Sequence, residues 1–172
     1  MISTLARWMI LAALGLAAPA QEPKDDESLR IEGAVACLSI EGFEDYEILP
    51  DAELTSDDKL LVYYLPKNYK SVAGKGGFVA HFTQDGQVRA AGKKKVLLRK
   101  AKLLDYEASS RTHPENVFIR NTFSLKGLPS GDYEYDVILR DENAPKEQGT
   151  VTASVKFRIV PAKLPEPEKG SE

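Results

Sequence analysis

The sequence predicts an all-β protein built as one antiparallel β-sandwich of seven or eight short strands. Two observations carry that reading. First, "GDYEYDVILRD" at 131–141 puts Tyr133, Tyr135, Val137 and Leu139 on one face of an extended chain, and Glu134, Asp136 and Arg140 on the other, with Ile138 the one exception. Side chains alternate with period two in a strand, so one face can meet a core while the other meets water. "TVTASVKFRIV" repeats the pattern, with Val151, Ala153, Val155, Phe157 and Ile159 opposite Thr152, Ser154, Lys156 and Arg158. The polar "DENAPKEQG" between the two runs makes them a hairpin. Second, the remaining apolar runs between residues 29 and 160 are short and separated by turn signals, the rhythm of a sandwich.

The elements follow in order. Residues 1–20, "MISTLARWMILAALGLAAPA", have the layout of a secretory signal peptide: Arg7, an uncharged apolar run over 8–18, then Ala18 and Ala20 at the small-residue positions before Gln21. The run is shorter than the about 20 apolar residues that a membrane span needs. Cleavage after Ala20 predicts a secreted or periplasmic protein with no integral membrane segment, and the absence of a cysteine at the cleavage site argues against lipidation. The mature chain then has 22 basic and 26 acidic residues, a net charge of −4, which offers no general attraction to nucleic acid.

Residues 21–28, "QEPKDDES", read as a flexible charged leader, and residues 161–172, with three prolines and five charges, as a disordered tail. The 29–160 stretch between them is long enough for one domain with a proper core. It opens with "IEGAVACLSI". An irregular connection follows, with Phe43, Tyr46 and Ile48 available to pack. "LLVYYLP" is a strand that Pro66 should end, because proline cannot donate to a ladder. "GFVAHFT" and "QVRAA" flank Gln84, Asp85 and Gly86, and Asp-Gly between extended runs predicts a hairpin turn. "NVFIRNTFSL" is a further strand. "KKKVLLRKAKLLDYEASS" is ambiguous. Leu97, Ala101, Leu104 and Ala108 have helical spacing, whereas as strand it is two pieces, "VLLRK" and "KLLDY", joined by an irregular step. The strand-like surroundings favour the second.

"FSLKGLPSGDYEYDVILRD" resembles the late strands of fibronectin type III and immunoglobulin-like domains, in which a leucine, a proline–glycine turn and a tyrosine-bearing strand come in that order. Here these are Leu128, Pro129, Gly131, and Tyr133 or Tyr135. The likeness covers about residues 117 to 160. The chain is also similar to uncharacterised secreted bacterial sandwich proteins with an "LPxGxYxxxVxLxD" stretch. The resemblance implies an immunoglobulin-like sandwich and says little of function, since the architecture hosts many roles. The cysteine pair and core tryptophan of antibody domains have no counterpart: Cys37 is the one cysteine and Trp8 the one tryptophan. Cys37, in apolar "GAVACLSI", is expected to be buried as a small hydrophobe.

No assembled chemistry emerges. His81 and His113 have no His or Cys at ligand spacing, so no metal is expected. "KDDES" and "SDDK" lack the pattern of a calcium loop, and "AGKGG" lacks the lysine-Ser/Thr ending of a phosphate loop. No serine sits in a "GxSxG" elbow. No cofactor is expected, and the chain reads as a non-catalytic binding or structural module of the cell envelope; the alternative is a small extracellular enzyme or enzyme inhibitor with a loop-built site. One electrostatic feature stands out. Arg89, Lys93, Lys94, Lys95, Arg99, Lys100 and Lys102 follow one another with no acid between them. They are the candidate docking surface for an acidic envelope polymer or protein partner, or else a guard against edge-to-edge pairing.

Overall fold

In the computed structural model, which describes residues 28–162, the apolar and polar alternations become ten strands in two sheets. The expected signal peptide and nearly all of the leader and tail lie outside the described residues. The strands are β1 (Arg30–Gly42), β2 (Asp45–Ile48), β3 (Glu53–Leu54), β4 (Lys59–Lys67), β5 (Val72–Gly74), β6 (Gly77–Ala90), β7 (Val96–Ser110), β8 (Ile119–Ser124), β9 (Gly131–Asp141) and β10 (Thr150–Ile159). One sheet has the order β2-β1-β4-β8; the other runs β3-β10-β9-β6, with β5 and β7 both paired to β6. All pairings are antiparallel except β3 with β10, a departure from the purely antiparallel expectation. Among the described residues no helix is long and apolar enough to cross a membrane.

The alternation of β9 and β10 sends its apolar face inward as read. Tyr133, Tyr135, Val137 and Leu139 are buried beside Val155, Phe157 and Ile159. They pack against Leu60, Val62 and Tyr64 of β4 and Ile119 and Phe123 of β8. Tyr133 stacks on Phe157 at 5.6 Å between ring centres, and its hydroxyl donates 2.7 Å to the carbonyl of Pro129, pinning the turn that leads into β9. Cys37 is buried, in a smaller cluster with Ile40 and Tyr63. Tyr63 is sandwiched between Tyr46 and Phe118, with ring centres 4.3 and 5.7 Å away. Tyr46 therefore packs as expected, whereas Ile48 is 60% exposed.

Two turn signals do not turn. Pro66 lies inside β4, opposite Ile31. The ladder between β4 and β8 stops at Tyr64, so the sheet is narrower there and a missing donor is tolerated. Asp85-Gly86 likewise lies within the continuous strand β6. Gly86 is required for closeness rather than for turning: a Cβ there would sit 2.4 Å from the Tyr135 hydroxyl. That hydroxyl belongs to a closed network between the sheets. Tyr64 donates to Gln84 Oε1 (2.7 Å), Asn121 Nδ2 donates to the same oxygen (3.1 Å), Gln84 Nε2 donates to Tyr135 (3.1 Å), and Tyr135 donates to Asn121 Oδ1 (3.0 Å). Burial pushes both tyrosine hydroxyls well above their ordinary range.

The ambiguous segment is strand, in two pieces. Lys100 pairs with Gly86 and Leu104 with Gln84, so Ala101, Lys102 and Leu103 bulge out opposite Asp85. Lys102, at φ 47°, makes the kink.

Candidate functional site

The two sides of the sandwich differ. On one side the chain itself crosses between the sheets. It leaves β2, bonds Leu49 N–H to the Ala36 carbonyl at 3.0 Å, makes a short 3-10 turn at Pro50–Ala52, and joins the other sheet as β3. On the opposite side β7 and β8 are both edge strands, and they are not paired with each other. Asn121 of β8 reaches Gln84 of β6 and Tyr135 of β9, so β8 lies over β6 and β9. That leaves β7 overhanging, with no strand of the four-stranded sheet opposite it.

Along this open side lies a hollow of about 520 Å³. The bulge of β7 bounds it with Leu103 and Leu104, and β8 with Asn121 and Thr122; Leu61 and Ile40 complete the apolar lining. Lys100 and Arg120 also line it, and no carboxylate does. Arg120 donates from Nη1 to the Ile40 carbonyl at 3.3 Å. Neither cation has an ion pair among the described residues. The hollow thus mixes four aliphatic side chains with Asn121 and Thr122, and the only charges on its lining are positive. A second hollow, of about 350 Å³, continues along β7 past Tyr106 to Val117 and Phe118, and Glu107 and Glu115 line it, so the positive character is confined to the first hollow.

The seven basic residues of the run do not form one patch. Arg89 lies on the outer face of the larger sheet and is neutralised there. Its Nε and Nη2 donate to the two oxygens of Asp136 at 2.6 and 2.9 Å, and Nη2 also lies 2.8 Å from Glu134. Gln87 and Ser154 donate to Asp136 as well, so this carboxylate is satisfied although only 3% exposed. Arg99 is spent in the same way. It donates 3.1 Å to Asp85 Oδ2, which also accepts from Arg140 at 2.9 Å, while the Lys102 backbone N–H donates 2.9 Å to Oδ1. Lys93, Lys94 and Lys95 are exposed in the turn between β6 and β7. Lys100 alone of the run lines the hollow, where it meets Arg120.

The Arg140 hydrogen bond, with help from the Lys102 N–H and Arg99, holds the Asp85 carboxyl well below the usual carboxylate range, against the upward push of burial. A carboxyl whose pKa is lower folded than unfolded stabilises fully above the unfolded value, near 4; that contribution shrinks as pH falls from there and is gone only below the folded value. Asp85→Asn is therefore expected to lower the urea midpoint clearly at pH 7 and by less at pH 3, because at pH 3 the unfolded wild-type chain takes up the proton that the folded carboxylate still refuses. A deficit of equal size at both pH values would contradict this account of Asp85.

The histidines sit elsewhere. His81 is on the outer face, its Nε2 2.7 Å from Asp105. His113 stacks on Tyr69 and shares a 2.7 Å hydrogen bond between Nδ1 and Ser71 Oγ. Sequence reading did not anticipate that pair, whose members are 42 residues apart. Among the described residues no carboxylate orders the other ring nitrogen of His113, so the contact works as a tie between two loops. No group of three or more His, Cys, Asp or Glu side chains there could hold a metal ion. Compared with known proteins, the chain matches no protein-family model and no curated protein. Fold and site together define an all-β, two-sheet sandwich protein with one open side, on which Lys100 and Arg120 line the larger of two hollows.

Proposed function

We propose that this chain is a non-catalytic, immunoglobulin-like binding module of the cell envelope, exported by the signal peptide read at residues 1–20, and that it holds an acidic partner along the open side. Two features support the immunoglobulin-like reading. Strands β1-β4-β8 face β10-β9-β6-β7, which has the pattern of such a sandwich with its Greek-key crossings. The Tyr133 hydroxyl bonded back to the Pro129 carbonyl, at the entry to β9, is the arrangement of a tyrosine corner.

The observation that carries the binding reading is the hollow itself: Lys100 and Arg120 line it beside aliphatic and neutral polar side chains, with no carboxylate among the lining residues. Cations elsewhere on the larger sheet, Arg89, Arg99, Arg140 and Arg158, already face carboxylates of the same sheet. A positive cleft with low-dielectric walls concentrates an anionic partner, and Lys93, Lys94 and Lys95 at the near end of β7 extend that field. Charge reversal at both rim positions, K100E with R120E, is expected to weaken co-sedimentation with isolated envelope material by ~10-fold or more at low salt. Folding should be nearly unaffected, because exposed charges contribute little to stability. Binding that ignores both salt and the charge reversal would end this proposal.

A further inference from the structure

The open side has a geometry that selects the shape of its partner as well as its charge. β8 pairs with β4 along one edge, from Lys59 opposite Ser124 to Tyr64 opposite Ile119. Its other edge makes no backbone hydrogen bond among the described residues, nor does the outer edge of β7. A row of unpaired N–H and C=O groups is a template for another strand. Natural edges of this kind are blunted. β7 has been: Lys102 kinks it into a bulge, and it carries Arg99, Lys100 and Lys102. β8 has no bulge in its register with β4, and its one charged residue is Arg120, which turns to the Ile40 carbonyl instead.

The neighbouring space suits a strand. Because β7 overhangs, its inward positions have no strand of the smaller sheet over them. Those positions are marked by the partners they share with β6: Leu104 opposite Gln84, and Tyr106 opposite the buried Phe82. Tyr106 is left 39% exposed as a result. A strand hydrogen-bonded to the free edge of β8 would lie over this apolar wall and bury every second side chain against it. Its outward side chains would pass Arg120, and an inward one beside the bulge would meet Lys100, which lies opposite Gly86 on the face that carries Leu104.

We propose that the partner is a protein segment that binds by strand addition: an extended peptide that pairs with the free edge of β8, sets alternate apolar side chains on Leu104 and Tyr106, and presents carboxylates to Lys100 and Arg120. This rests on the open side being the acidic-partner groove and adds the class of partner and its mode of binding. In strand addition the main chain supplies affinity and alternate side chains supply specificity. A free, disordered acidic polymer would use the cations and leave the edge untouched.

The test uses the full mature chain and a library of acetylated octapeptides in which each position is Glu, Val, Ile, Leu, Phe, Tyr or Thr. The tightest binder is remade twice, N-methylated at one alternate set of backbone nitrogens or at the other. Strand addition predicts that one set lowers affinity by ~10-fold or more and the other by less than ~2-fold, since only alternate N–H groups face β8. It also predicts slowed hydrogen exchange within Ile119–Ser124. Equal effects of the two sets, or tight binding by a polyuronate oligosaccharide where no peptide binds, would overturn strand addition. In either case sensitivity to K100E/R120E would leave the acidic groove standing. Binding indifferent to that charge reversal would remove the groove reading itself.

Discussion

Gly86→Ala is expected to destabilise the fold by about 3 kcal/mol or more, a large effect for one added methyl in a strand. The new Cβ would lie 2.4 Å from the Tyr135 hydroxyl and within 3.0 Å of two of its ring carbons. Tyr135 is fully buried and packed against Phe123, so it has no open space to move into. Overpacking of this kind costs about 1–3 kcal/mol. Displacing the hydroxyl also strips Gln84 Nε2 and Asn121 Oδ1 of their partner, and each unpaired buried polar group costs about 1–3 kcal/mol. Tyr135→Phe, which removes the oxygen, should cost less. The double variant should be more stable than the sum of the two losses predicts, because the phenyl ring no longer brings an oxygen against the Cβ. Urea titrations of the four proteins check this, and strict additivity would contradict it.

Phe157→Ala should cost about 3–5 kcal/mol, the range for removing a buried aromatic ring from a core. Phe157 is 3% exposed and lies in the stack with Tyr133, whose hydroxyl fixes the turn before β9. Its neighbour Lys156 is exposed, and Lys156→Ala should cost less than about 0.5 kcal/mol. The contrast is a direct measurement of the period-two pattern, and similar losses in denaturant titrations would show that β10 does not face the core as described.

These residues show what could be read before the fold was known. The faces of β9 and β10 were legible because apolar residues simply alternate there. The two-piece nature of β7 was legible because neither "VLLRK" nor "KLLDY" continues the other in phase. Asp85-Gly86 was misleading, since the dipeptide that best suits a tight turn also suits a strand in which a buried carboxylate meets two arginines and a glycine admits a tyrosine hydroxyl. Arg140 and Tyr135 are remote in sequence and come in through the pairing of β6 with β9, whereas Arg99 comes from the neighbouring β7. Asn121 left a faint trace, a polar residue on the face shared by Val117, Ile119, Phe123 and Leu125. Arg120 left none. It stands between Ile119 and Asn121 like any outward residue of a strand, and its place beside Lys100 depends on β8 being an edge strand. The run 89–102 was visible as charge, but its division was not. The carboxylates that occupy Arg89 and Arg99 come from β6 and β9, and no spacing within the run announces them.

The central claim is that the open side between β7 and β8 is the face that takes an acidic partner. An amide shift titration of the isotope-labelled chain from residue 21 onward with poly-L-glutamate at low salt tests it most directly. The account predicts that the largest shifts fall within 98–104 and 119–124, and that they vanish in the K100E/R120E variant. Shifts centred instead on the closed side around β2 and β3, or spread evenly over the exposed lysines, would contradict it.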